Sequence, residues 1–188
     1  VDGKLVNGKA LCDQFDRIAR RAFLNRNGKG AKQKDLDYLW YLWCGPLSPL
    51  FGKTKMTTFE RYYIKDKEAH SEPRNPYYKL RDNEEIAKKI LTEFNLDPNK
   101  GHIINGHTPV KVGKGEKPVK AGGRLLVIDG GISIPYQKET GIAGYTLIFN
   151  SYSMVLVEHT AFGSTQKAIE EEHDIVSHRH IIEQHHNR

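Results

Sequence analysis

Apolar residues recur at helical spacing through the first quarter of the chain. The pattern predicts a helix over residues 10–26, with one apolar face formed by Leu11, Phe15, Ile18, Ala22 and Phe23. It predicts a second helix from about Lys34 to Gly45-Pro46, with an apolar face formed by Leu36, Leu39, Trp40 and Trp43. We expect both apolar faces to lie in a core, the two tryptophans included.

Helical periodicity is lost over residues 45–83 and returns after them. The stretch contains four prolines and six aromatic residues, and a loop of this length inside a compact domain is usually functional. A third helix is predicted next, because Asp82-Asn83 can cap it and Glu84-Glu85 suits the positive end of its dipole. Its predicted inward face is Ile86, Ile90, Leu91 and Phe94.

Short β-branched and apolar runs replace the helical pattern after Pro98. They predict strands at residues 102–105, 124–129, 145–150 and 154–159. The last two flank Asn150-Ser151-Tyr152-Ser153, which predicts a hairpin turn. A short helix is predicted after Ser164, and the histidine-rich tail from His173 is predicted to be a solvated helix or a frayed end.

The order of elements predicts an α/β protein of the α+β type, with helices followed by a mostly antiparallel sheet. The length of 188 residues suits one domain, with a helical, loop-rich part at 1–98, a sheet part at 99–163 and a C-terminal helix or tail at 164–188.

Charge and cysteine content narrow the functional classes. The formal net charge of +6 suits an anionic ligand such as a phosphate ester, although plain solubility explains it equally well. A nucleic-acid partner is disfavoured, because the aromatic residues lie among Pro and Gly in a loop instead of on a sheet face. Two distant cysteines indicate no zinc site, and no apolar run of about 20 residues predicts a membrane span.

A histidine at a predicted strand end is the sharpest chemical signal. The run INGHTPV places His107 directly after a strand and Gly106, a position where a rigid backbone can present an imidazole to Mn, Fe or Zn. By spacing alone an ordinary surface or core histidine explains it better, since one histidine does not make a metal site. Asp129, at the end of a later strand, either orients His107 or simply caps a turn, and we favour the cap.

Basic residues cluster in two places. The first group lies in the aromatic loop and comprises Lys53, Lys55, Arg61 and Lys65. The second group follows the histidine motif, is more readily explained as an exposed hairpin, and comprises Lys111, Lys117, Lys120 and Arg124. Lysine and arginine are the usual partners of phosphate, so Lys53, Lys55, Arg61 and Lys111 are candidates for binding a substrate phosphate. The alternative is a solvated basic surface.

Longer segments carry a family resemblance. Gly106-His107-Thr108-Pro109 resembles the Gly-His turn of calcineurin-like metallophosphoesterases, in which the histidine binds one of two metal ions. Four further segments resemble class III fructose-1,6-bisphosphatases: YLWCGPLSPLFGK (41–53), KMTTFERYYIKDK (55–67), INGHTPVK (104–111) and GEKPVKAGGRLLVIDGG (115–131). The resemblance continues through TGIAGYTLIFNSYS (140–153).

The resemblance implies a fold, a reaction and a cofactor. The fold is part of a calcineurin-like αββα metallophosphatase sandwich. The reaction is hydrolysis of a sugar-phosphate monoester, fructose 1,6-bisphosphate, at a centre of two Mn2+ ions in cytoplasmic gluconeogenesis. His107 is the one residue of this chain that corresponds to a catalytic, metal-binding position of the family. A homo-oligomer is compatible with the family, whereas a nucleic-acid or membrane partner is not expected.

The other metal-binding motifs of the family are absent. GDxHG, GDxxDRG and GNHE do not occur in this sequence. We therefore expect residues 1–188 to be the C-terminal portion of a single metallophosphatase domain, whose partner is the missing N-terminal half of the same enzyme. The alternative is a non-catalytic binding or regulatory fragment of such an enzyme.

Overall fold

The computed structural model describes residues 1–28, 32–46, 48–131, 133–141, 144–159, 164–171 and 177–185. The chain divides into two compact units, Val1–Leu80 and Arg81–Arg188. Part of the loop predicted after the first helix, Lys29 and Gly30, lies outside the described residues, as do His173 and His186 of the tail.

Two helices form the core of the first unit. Helix α1 spans Gly8–Asn25 and helix α2 spans Gln33–Cys44, so both agree with the predicted positions. Phe15 and Ile18 of α1 pack against Leu42 of α2, and Leu11 and Tyr38 add partly buried contacts. The two helices are therefore held together by interlocking apolar side chains.

The buried face of α2 differs from the prediction. Trp40 and Trp43 are 64% and 62% exposed and pack edge to face against each other, while Leu42 is buried. Asp35 is also buried, because Arg21 of α1 binds its carboxylate through two hydrogen bonds of 2.6 Å. The expectation that both tryptophans lie in the core is wrong. Phe23 of α1, also predicted to face the core, is exposed.

The aromatic loop of the first unit contains short helices. Helix α3 spans Thr58–Tyr63, a 3-10 turn spans Glu68–His70 and helix α4 spans Tyr77–Leu80. An antiparallel bridge pairs Lys53 with Arg74, near the beginning and the end of the loop. The loop is therefore a folded segment with its own backbone hydrogen bonds.

The second unit begins with a capped helix and a small mixed sheet. Helix α5 spans Glu84–Glu93, and the side chain of Asn83 accepts a hydrogen bond from Ile86 N at 3.1 Å, as predicted for its cap. The sheet comprises β1 (Ile103–Asn105), β2 (Val119–Lys120) and β3 (Leu125–Val127), in the order β1-β3-β2. Strands β1 and β3 are parallel, whereas β2 and β3 are antiparallel.

A second sheet follows helix α6 (Ile134–Thr140). It comprises β4 (Gly144–Phe149), β5 (Ser153–His159) and β6 (Ser177–Gln184), all antiparallel, with the short helix α7 (Thr165–Glu170) between the last two strands. The predicted hairpin between β4 and β5 is confirmed. Residues 177–184, predicted as helix or frayed tail, instead form an edge strand.

The α+β class, with mostly antiparallel strands, is confirmed. Within the described part of the chain, no helix has both the length and the apolar character needed to cross a bilayer.

Candidate functional site

The His107 turn, residues 106–108, follows directly from strand β1. Parallel pairing places Ile103, Ile104 and Asn105 beside Leu125, Leu126 and Val127 of β3, whose side chains are fully buried. Ile128 N donates to Asn105 O at 2.8 Å, which extends the pairing to the last residue before the turn. The entry to the turn is thus fixed by the most buried strand of the sheet.

His107 has a strained backbone. Thr108 N donates to Gly106 O at 2.8 Å, and His107 between them has a φ of 63°. This hydrogen bond encloses three residues in a γ-turn of the rare positive-φ kind. A side chain with a Cβ costs roughly 1–2 kcal/mol in this region, and such residues concentrate at functional sites. The side chain of His107 is exposed. The sequence motif and an independent structural feature therefore coincide at one residue.

The exit of the turn is fixed as firmly as its entry. Val110 is fully buried, and its N–H donates to Asp129 O at 2.8 Å. The carboxylate of Asp129 accepts a hydrogen bond from Gly131 N at 2.9 Å, so it caps the turn after β3. This agrees with the turn-cap interpretation of Asp129 that the sequence favours.

Lys111 lies next along the loop and is held by Glu116. Its N–H donates to the Glu116 carboxylate at 3.1 Å. The same carboxylate accepts a hydrogen bond from Arg81 at 2.7 Å and forms an ion pair with Lys120 at 3.1 Å. Burial alone would raise the pKa of Glu116, but the hydrogen bonds from Lys111 N and Lys120 and the charges of Lys120 and Arg81 outweigh it and lower the pKa. Glu116 is therefore a charged carboxylate at neutral pH.

In the first unit, two of the phosphate candidates surround one carboxylate. Lys53 Nζ lies 2.5 Å from Glu72, and Arg61 forms a longer ion pair of 3.9 Å with it. The buried Thr57 donates both its N–H and its hydroxyl to Glu72, at 3.0 and 2.9 Å. These hydrogen bonds, that of Lys53 first, lower the pKa of Glu72 to about 2. We call Lys53, Thr57, Arg61 and Glu72 the Glu72 cluster.

Lys55 lies beside the Glu72 cluster but has different contacts. Its Nζ donates to the backbone carbonyl of Ala69 at 3.2 Å, a neutral partner, and the residue is exposed. Its charge is therefore better placed to meet a phosphate than that of Lys53.

The candidate residues thus fall into two groups. His107 and Lys111 share one loop of the second unit, and Lys53, Lys55 and Arg61 share one loop of the first. Glu72 and Glu116, which organise the two loops, were not identified from the sequence. The only available signal was an acidic residue near several basic ones, and that is too common to be specific.

An exposed imidazole on a rigid turn fits a metal ligand. Among the residues that the structure describes, no three His, Cys, Asp or Glu side chains come together as a complete metal site.

Comparison with known proteins gives a consistent result. The sequence profile described as Firmicute fructose-1,6-bisphosphatase matches residues 1–188. Proteins named fructose-1,6-bisphosphatase class 3 are 59% identical in Clostridium novyi (strain NT), over 98% of this chain, and 56% identical in Clostridium tetani (strain Massachusetts / E88), over 97%. One from Listeria monocytogenes serovar 1/2a (strain ATCC BAA-679 / EGD-e) is 55% identical over 99%.

The chain spans 28% of the length of each of these three relatives. No solved structure matches it. The match to the profile along the whole chain, with more than half of the residues identical to those of the curated relatives, is decisive for the family. The chain belongs to the Firmicute fructose-1,6-bisphosphatase family.

Proposed function

We propose that the protein carrying this chain is a metal-dependent fructose-1,6-bisphosphatase, which hydrolyses a phosphate monoester of a sugar bisphosphate in gluconeogenesis. The observation that carries the proposal is the exposed His107 at the centre of a strained γ-turn. Relatives named fructose-1,6-bisphosphatase class 3 support the substrate. We further propose a cytoplasmic location, and a catalytic centre completed by the part of the protein outside this chain.

His107 would hold one metal ion through a neutral ring nitrogen, and Mn2+ is the ion that we propose. A pair of such ions polarises a phosphoryl group and supplies hydroxide near neutral pH. The chain's own contribution is to fix the imidazole: β1 holds the entry of the turn, and Val110 with Asp129 holds its exit. A donor fixed in this way loses little entropy when it binds.

The basic residues would bind the substrate phosphates. Lys111 follows the His107 turn and is proposed to contact the phosphate that is cleaved. Lys55, whose Nζ donates to a neutral carbonyl, is proposed as the stronger candidate in the first unit. Lys53 and Arg61 remain candidates, although a phosphate would compete there with Glu72. Binding energy from a remote phosphate can help to orient the reacting one.

The test is His107→Ala in the protein at the full length of its relatives, with phosphate release measured against Mn2+ concentration. Loss of a metal ligand should lower turnover by at least about a hundredfold, since even groups that only support ligands cost ten- to hundredfold. His178→Ala, an exposed histidine on β6, is the matched control and should retain wild-type turnover. Wild-type turnover by His107→Ala at saturating Mn2+ would refute the assignment and favour a non-catalytic role for this chain.

A further inference from the structure

We propose that Glu116 is a positioning residue for the loop formed by residues 106–116. In this role it sets the metal affinity at His107 without touching the metal or the substrate. The inference rests on the proposed function, because it assumes that His107 is a metal ligand. Glu116 has no metal-binding, substrate-binding or catalytic role in that proposed function.

Glu116 binds both main-chain groups of Lys111, the N–H and the carbonyl, in the loop after the His107 turn. The carboxylate accepts the N–H of Lys111 at 3.1 Å, and the carbonyl of Lys111 accepts the N–H of Glu116 at 3.2 Å. The same carbonyl accepts Lys114 N at 2.9 Å. Both main-chain groups of Lys111 are therefore bound within a ring of six residues, which fixes its backbone and the point where its side chain begins.

The carboxylate is itself held by two nearly buried cations. The side chains of Arg81 and Lys120 are 10% and 8% exposed, and each lies within 3.1 Å of Glu116. Lys120 is in turn paired with Asp82 at 2.9 Å. Hydrogen bonds between charged groups in such an environment are roughly twice as strong as neutral ones. Glu116 thus ties the loop to β2, which carries Lys120, and to the segment before α5, which carries Arg81.

The segment that connects Lys111 with His107 is short and firmly held. Only Thr108, Pro109 and Val110 separate His107 from Lys111, and Val110 is buried with its N–H bonded to Asp129. The γ-turn stores backbone strain, which persists only where the surrounding structure holds it. Release of Lys111 N would remove one restraint on the exit of the turn, although Val110 stays bonded to Asp129, and would allow His107 to relax in part from its strained φ. The expected consequence is weaker metal binding with little change in the chemistry once metal is bound.

The experiment compares Glu116→Ala with Asp82→Asn in the full-length protein. Asp82 belongs to the same ion cluster but contacts Lys120 instead of the loop, so it controls for general loss of charge pairing. Mn2+ binding is measured by the loss of the free-ion signal in electron paramagnetic resonance, beside the Mn2+ dependence and kcat of phosphate release. Glu116→Ala should raise the Kd for Mn2+ by about tenfold, at the low end of the effect of groups that support ligands.

We expect kcat of Glu116→Ala at saturating Mn2+ to stay within threefold of wild type, and Asp82→Asn to change the Kd by less than twofold. If Glu116→Ala does not fold, Glu116→Gln, which retains one acceptor oxygen, should show a smaller shift in the same direction. An unchanged Kd in Glu116→Ala, with His107→Ala still losing Mn2+, would overturn the positioning role alone. Unchanged Mn2+ binding in His107→Ala would overturn the proposed function and this inference together.

Discussion

The His107 turn and the Glu72 cluster are both loop sites built around charged or metal-binding side chains, but they are stabilised in opposite ways. In the Glu72 cluster, Lys53 and Thr57 donate hydrogen bonds to one carboxylate and Arg61 forms a longer ion pair with it, so these contacts favour the folded state. In the His107 turn the backbone is strained, and the side chain that causes the cost is left exposed.

That difference separates structural from functional chemistry. A group whose partners lie within its own fold contributes to stability whether or not a ligand is present. A strained, exposed side chain contributes nothing of this kind, and such strain is concentrated at sites where a side chain binds a ligand. This criterion supports the proposed metal-binding role of His107, and it indicates that Lys53 and Arg61 chiefly stabilise their own loop.

The largest effect on stability is expected for Glu72→Gln. The variant loses the charge-assisted hydrogen bond from Lys53, and a hydrogen bond to a charged group contributes roughly 1.5–3 kcal/mol. Solvent near Lys53 and the amide's remaining hydrogen bond from Thr57 reduce the loss, and the exposed Arg61, 3.9 Å away, adds little to it. We expect the free energy of unfolding to fall by about 1–2 kcal/mol in urea denaturation at pH 7.

Glu68→Gln is the matched control for that measurement. Glu68 lies in the same loop and is exposed, so its variant should stay within about 0.5 kcal/mol of wild type. Equal stability of the two variants would mean that the Glu72 cluster is as dispensable as an ordinary surface charge.

Acidification should remove the advantage of Glu72 over glutamine. Its pKa is about 2 in the folded protein against an ordinary value of 4.5, so the folded state favours the carboxylate. The stabilisation is complete above pH 4.5 and is lost as the pH falls from 4.5 towards 2. The difference in unfolding free energy between wild type and Glu72→Gln should therefore be constant from pH 7 to 5 and smaller at pH 3. A difference that stayed constant down to pH 3 would contradict the low pKa.

Helix α2 shows where sequence patterns stop being informative. Its bounds follow from helical spacing and from Gly45-Pro46, and both agree with the structure. The choice of inward face failed, because α2 packs on α1 through Leu42 and through the Arg21–Asp35 pair. A buried carboxylate can be anticipated only when its partner, here 14 residues away in sequence, is known to face it.

The sheets teach a similar lesson about long-range pairing. The four predicted strands are present because β-branched runs bounded by Gly or Asn act locally. Strand β6 was missed, since Ile181 and Ile182 are its only apolar residues, and the strand is defined by its hydrogen bonds to β5. The position of His107 was predictable from a motif, but its strained φ and the role of Glu116 depend on three-dimensional contacts that no local pattern encodes.

The phosphate candidates of the first unit can be ranked by their partners. Lys55→Met should raise KM for the sugar bisphosphate by about fivefold, the equivalent of roughly 1 kcal/mol, because Lys55 Nζ donates to a neutral carbonyl and keeps its charge for a phosphate. Lys53→Met should change KM less and lower the unfolding free energy instead, since it leaves Glu72 without its closest cation. Lys67→Met, an exposed lysine of the same loop, is the control. A larger rise in KM for Lys53→Met than for Lys55→Met would reverse the ranking. It would also weaken the criterion that a charge paired within its own loop is structural and does not bind substrate.

The smallest expected effect tests the strain itself, apart from any assumption about activity. Glycine adopts a φ of 63° without a steric penalty, whereas alanine carries a Cβ into it. His107→Gly should therefore be more stable than His107→Ala by about 0.5–1 kcal/mol in urea denaturation. At Lys89, an exposed position in α5, the order should be reversed, with alanine about 1 kcal/mol more stable than glycine. If alanine is the more stable residue at both positions, the turn is relaxed in solution and holds no strain. If glycine is favoured only at position 107, the backbone there is strained for any residue with a Cβ, histidine included. The protein then accepts a lower unfolding free energy at this turn than glycine would give it. We connect that loss of stability with the imidazole, the group that we propose binds the metal.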